Sequence, residues 1–102
     1  MITGILSNGF EVSVDENKVK TYRFAKMLGK ASSKDINERL YANASILEYL
    51  IGEEKEEELI KYVESITGEE AKEPEMVALT LEIINLMKEE DKEIKNSVSS
   101  QE

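Results

Sequence analysis

Residues 2–14 read ITGILSNGFEVSV, and the Asn8-Gly9 pair at their centre decides how the chain begins. Asn-Gly is the preferred pair for a two-residue type I′ hairpin turn, whose central residues both need positive φ. Apolar and β-branched residues flank the pair on both sides, so the segment predicts two antiparallel strands. A two-residue turn sets the register: Ser7 faces Phe10, Ile5 faces Val12 and Thr3 faces Val14. Phe10, Val12, Val14 and Ile5 then share one face, while Glu11 and Ser13 point away from it. An isolated hairpin is marginal in water, so that apolar face must lie on helices or on another subunit.

Downstream the period changes to that of helices. Asp15 or Asn17 is placed to cap a first helix running to about Leu28, with Gly29 as its stop and Val19, Tyr22, Phe24, Met27 and Leu28 as its apolar positions. Ser32 and Ser33 suit the start of a second helix, whose stripe Ile36, Leu40, Ala44, Leu47 and Ile51 has helical spacing and ends before Gly52. A third helix starts in the acidic run 53–58 and ends near Ile66, with Gly68 beyond. Carboxylates in a first turn complement the helix dipole there. Residues 67–73 read as a linker, and Pro74 opens a fourth helix where its missing N–H costs nothing. In that helix Met76, Leu79, Ile83 and Leu86 form one apolar row, and Val77, Leu81, Ile84 and Met87 form another. Two rows make a face wider than one neighbouring helix requires, which leaves deep burial and an interface between chains both open. The expectation is a mostly α (α+β) domain over residues 1–95, with the hairpin at 1–14, about four helices, and a disordered tail at 96–102.

The chain has 102 residues and a formal net charge of -9. The charge is lopsided: residues 1–52 carry seven Lys or Arg against six Asp or Glu, and residues 53–102 carry six against sixteen. The acidic half repels phosphate backbones, so nucleic acid is not an expected partner. The same asymmetry favours solubility, and it permits contact between copies or with a basic partner. Arg23, Lys26 and Lys30 make a basic edge at helical spacing that reads as a solvated face. No apolar run approaches the ~20 residues that span a bilayer, and no secretion signal is visible, so a cytoplasmic location is expected.

The residues of catalysis are missing. With His 0 and Cys 0 the commonest general base and the favoured zinc ligands are absent. The serines lack an activating partner, and the five glycines are isolated and form no phosphate-cradling loop. The acidic run 53–58 lacks the alternating Asp or Asn and the central Gly of a calcium loop. Neither an enzyme nor a cofactor or metal site is expected.

One combination of features carries a likeness. An opening strand leads into Asn8-Gly9-Phe10-Glu11, then Val14-Asp15-Glu16 and an aromatic-containing helix. Leu50-Ile51-Gly52-Glu53-Glu54 and a helix with Leu59 come next. After a Gly-containing linker, Pro74-Glu75-Met76 opens a helix with Glu82-Ile83-Ile84. The end reads Lys95-Asn96-Ser97-Val98-Ser99-Ser100-Gln101-Glu102. This order, over nearly the whole chain, resembles the short tail assembly chaperones of siphophages and prophages of Gram-positive bacteria. The resemblance implies a non-virion protein of the host cytoplasm that coats the tape measure protein, keeps it soluble and helps recruit tail tube subunits. It also implies that a longer, frameshifted form is usual. On that footing Met76, Leu79, Ile83 and Leu86 are expected to face a partner or a neighbouring copy. Two other classes fit the composition: a small acidic inhibitor or antitoxin that blocks a basic protein, and a structural head–tail component of the virion.

Overall fold

The computed structural model describes residues 1–88 in full and, over 89–100, the backbone alone. The tail expected at 96–102 therefore lies outside the fully described residues. Strands β1 (Ile2–Ile5) and β2 (Glu11–Val14) form an antiparallel hairpin. A 3₁₀ turn (Glu16–Lys20) follows, and then helices α1 (Tyr22–Ala31), α2 (Ile36–Ile51), α3 (Glu53–Thr67) and α4 (Glu73–Ser100).

The hairpin is offset by one residue from the register that a two-residue turn would set. Ile2 pairs with Val14, Thr3 with Ser13, Gly4 with Val12 and Ile5 with Glu11. The Gly9 N–H donates to the Leu6 carbonyl and the Leu6 N–H to the Phe10 carbonyl, both at 2.8 Å, so three residues form the loop. Gly9 alone in that loop has positive φ, at 93°, which is the pattern of a turn followed by a glycine bulge. Asn8 keeps negative φ and accepts the Phe10 N–H with Oδ1 at 3.0 Å. The offset exchanges faces. Leu6, Val12 and Val14 are buried, whereas Ile5 is 69 % exposed opposite Glu11. Thr3 and Ser13 share a hydroxyl contact of 2.9 Å on the outer face. Gly4 lies on the inner face, where a Cβ would come within 2.7 Å of Leu86 Cδ1; its missing side chain is what lets α4 close on the sheet.

Two helices hold the turn. The Tyr62 hydroxyl of α3 donates to the Asn8 carbonyl at 2.9 Å, and the Tyr62 ring lies 5.3 Å from that of Phe10. Glu82 of α4 accepts from both the backbone N–H and the hydroxyl of Ser7, each at 2.7 Å.

The first expected helix is two elements. Asp15 caps the 3₁₀ turn, but Thr21 is extended (φ -84°, ψ 151°) and its hydroxyl oxygen accepts the Phe24 N–H as the cap of α1. A hydroxyl that satisfies an orphan helical donor makes a new start cheaper than continuation. The same Oγ1 lies 2.8 Å from the Tyr49 hydroxyl, and Lys18 Nζ donates to the Tyr49 carbonyl at 2.7 Å, a cation on the last turn of α2. Helix α1 runs through Gly29 instead of stopping there. Asp35, not Ser32 or Ser33, caps α2 by accepting from the N–H groups of Asn37 and Glu38. Gly52 (φ 87°) is the only residue between α2 and α3, and Gly68 (φ 76°) closes α3 in the left-handed region. Glu53, Glu54 and Glu56 lie in the first turn of α3, as the dipole argument anticipates.

The core joins all of these elements: Leu6, Val12 and Val14 of the hairpin, Phe24 of α1, Ile46, Leu47 and Leu50 of α2, Leu59 and Val63 of α3, and Ile83, Ile84 and Met87 of α4. Phe24, Leu59 and Ile83 are at most 2 % exposed, so α4 runs through the centre of the domain.

Candidate protein-binding groove

Most of both apolar rows of α4 is consumed inside the chain. Leu79 and Ile83 are 7 % and 0 % exposed, Leu86 is half-buried over Gly4, and Met76 packs against the core from its edge. From the second row Ile84 and Met87 are buried, and only Leu81 stands out at 54 % exposure. The sequence left deep burial and an interface as alternatives for this wide face. In the folded chain it is deep burial, because the hairpin, the 3₁₀ turn and α2 all pack on α4. Of the four residues expected to face a partner, only Met76 and Leu86 retain partial exposure, and they are not presented together: Leu86 covers the sheet, while Met76 lines a groove elsewhere.

That groove lies between α2, α3 and the start of α4 and encloses about 220 Å³. Leu40, Ala44 and Leu47 form one wall, Ile60 of α3 closes one side, and Met76 and Val77 form the opposite wall. Exposed Ala44 leaves the space that a larger side chain would fill. Thr80 is buried at the groove, and its hydroxyl donates back to the Met76 carbonyl at 2.8 Å, so it offers little to a ligand. The apolar surface extends along α2 beyond the groove: Ile36 is 59 % exposed, Leu40 38 % and Tyr41 76 %.

The stripe chosen from spacing on α2 is therefore mostly the outer face. Ala42, Ile46 and Leu50, also four apart, form the buried one together with Leu47. Two apolar rows on one helix cannot be ranked by period alone. The contacts of Tyr49 with Lys18 and Thr21 set which row turns inward, and they belong to the tertiary structure.

The charged residues at the groove are all acidic. Glu56 and Glu73 are among the lining residues, which include no Lys or Arg. Burial first, and then the carboxylates of Glu48, Glu57 and Glu53, push the Glu56 carboxyl above its usual range. Elsewhere on α3, Glu53, Glu54, Glu57 and Glu58 form an open carboxylate ridge with Lys61, and Lys55 pairs with Glu58 at 3.0 Å. The basic edge Arg23, Lys26 and Lys30 lies on the exposed side of α1 beside Tyr22, which is 81 % exposed. Among the described residues no group of His, Cys, Asp or Glu is arranged to hold a metal ion, and no helix is long and apolar enough to cross a membrane. Comparison with known proteins finds no matching family model, no matching curated protein and no matching solved structure.

Proposed function

We propose that this chain is a tail assembly chaperone of the siphophage type, which binds and solubilises the tape measure protein and helps recruit tail tube subunits in the host cytoplasm without entering the virion. It is a binding protein in this reading, with no catalytic step. The order of elements that resembles that family suggests the identity. The observation that carries the binding role is the apolar strip Ile36–Leu40–Ala44 running into the groove beside Met76 and Val77. A tape measure is a long helical chain whose apolar stripes aggregate when bare. Many small domains, each with one apolar groove, would cover it by multiplicity, and the acidic surface would keep the assembly soluble.

The test is genomic and then biochemical. The DNA beyond this reading frame should contain an overlapping frame followed by a very long helical one. Co-expression with the product of that long frame should keep it soluble, and the Ala44→Arg variant should fail to do so. A long-frame product that is equally soluble without the chain overturns the proposal. A second reading, the acidic inhibitor, is favoured by the ridge Glu53, Glu54, Glu57 and Glu58. It requires one cationic partner whose affinity collapses with salt, whereas apolar coverage is far less salt-sensitive. A head–tail component would instead remain in purified particles.

A further inference from the structure

We infer that the groove between α2, α3 and α4 receives an amphipathic helix whose apolar stripe is flanked by lysines or arginines. The inference rests on the proposed function and deepens it, by stating the chemistry of the segment that is held.

Size comes first. A volume of about 220 Å³ is below the ~300–1,000 Å³ typical of small-molecule pockets, and it suits one or two aliphatic side chains. From exposed Ile36 to Leu47, buried at the groove, the apolar track along α2 is about 16 Å long at 1.5 Å rise per residue, or three turns of a docked helix.

Backbone chemistry selects a helix. An extended segment would bring unpaired N–H and C=O groups against Leu40, Ala44, Ile60 and Val77. The polar side chains there are Asn43, the Thr80 hydroxyl already bonded to Met76, and the two carboxylates. A helix satisfies its own backbone and presents only side chains.

Charge selects the flanks. Glu56 and Glu73 border the groove without a lining cation, and Glu48, Glu53 and Glu57 add to the field at Glu56. An ammonium or guanidinium placed there relieves the carboxylate repulsion at Glu56, while an acidic flank adds to it. Burial first, and then the same repulsion, hold the Glu56 carboxyl above its usual range. A second copy of this chain offers the basic edge Arg23, Lys26 and Lys30 on α1, and its binding is the competing outcome that light scattering detects.

The experiment uses the full chain and two synthetic 18-residue peptides with one leucine stripe, flanked in one by lysines and in the other by glutamates. Fluorescence anisotropy should show the lysine peptide binding about tenfold tighter or better at low salt. Glu56→Gln with Glu73→Gln should bring the two affinities to within about threefold. Ala44→Arg, on an exposed wall, should abolish binding with the thermal unfolding curve unchanged. Ala25→Arg adds the same charge on exposed α1 and should leave binding as it was. Equal affinity for the two peptides overturns the inference, as does an Ala44→Arg variant that still binds. So does light scattering that shows a dimer which Ala44→Arg converts to monomer, because a copy of the chain then covers the groove. If the charge preference fails while co-expression still solubilises the long helical partner, the groove chemistry is wrong and the proposed function stands. The converse pattern overturns the function and leaves the groove.

Discussion

Ile5 and Leu6 are adjacent, similar in size, and placed oppositely by the hairpin, so truncating each in turn measures the register directly. Leu6 is 3 % exposed, and Leu6→Ala removes three carbons from a closed environment. At ~0.8 kcal/mol per buried carbon, plus a cavity term, the loss comes to about 3 kcal/mol. Ile5→Ala removes as many carbons from a side chain that keeps 69 % of its exposure. With about a third of that surface covered, the same scale gives a loss of ~0.8 kcal/mol. Urea unfolding followed by far-ultraviolet circular dichroism separates the two. For a slope of about 1.5 kcal/mol/M, the midpoint should fall by ~2 M for Leu6→Ala and by ~0.5 M for Ile5→Ala. In the register of a two-residue Asn-Gly turn, Ile5 would face inward beside Val12 and the order would reverse. An Ile5→Ala loss equal to or larger than the Leu6→Ala loss refutes the pairing of Ile5 with Glu11.

Other outcomes follow from the same contacts. Gly4→Ala should cost about 1 kcal/mol, because the new Cβ meets Leu86, yet gain about 0.5 kcal/mol in a Leu86→Ala background; a double-mutant cycle with no coupling would show that the two do not meet. Lys18→Met should lose about 1 kcal/mol by removing the cation from the Tyr49 carbonyl at the end of α2, measured by denaturant titration at low and high salt. The folded state raises the Glu56 pKa above its unfolded value, so the native chain binds more protons and stability falls as pH rises from the unfolded to the folded pKa. Glu56→Gln should therefore raise the melting temperature at pH 7, and the gap to the parent chain should close as the pH falls below the ordinary carboxyl range. A gap that widens in acid would contradict the burial and repulsion assigned to this group. Leu79→Asp with Ile83→Asp should leave the chain unfolded by circular dichroism, because both side chains are core; a folded double variant would return α4 to the role of an interface.

Much of the fold is legible in local chemistry. Gly52 and Gly68 end helices because each stands where the chain needs positive φ. The acidic run starts a helix because carboxylates suit its dipole, and Asn8-Gly9 marks a turn between two strands. What local chemistry leaves open is which of two near-equal options a segment takes. Asn-Gly supports turns of two and of three residues, and the choice falls to Tyr62 and Glu82, which grip the loop from α3 and α4. Thr21 is tolerated inside a helix and favoured as a cap, and it caps α1 where Tyr49 meets its hydroxyl. The candidate site was less legible still. Met76 is the one expected contact residue that lines the groove, and the helical spacing of the α2 stripe beside it does not say which way that stripe faces.

Local pattern and composition establish a hairpin followed by helices, acidic in the second half and without histidine or cysteine. Periodicity, caps and composition are local properties, and they survive without knowing what packs on what. Which apolar row of each helix is spent depends on what packs against it. Helix α4 buries most of both rows because the hairpin, α2 and the 3₁₀ turn converge on it, with Gly4 making room for Leu86, and Leu81 is left exposed. Helix α2 is left with Ile36, Leu40 and Ala44 uncovered because Ala42, Ile46 and Leu50 already fill its inner side. Apolar surface drives burial without direction, so the chain states how much there is, and the packing of its neighbours settles where the remainder faces water.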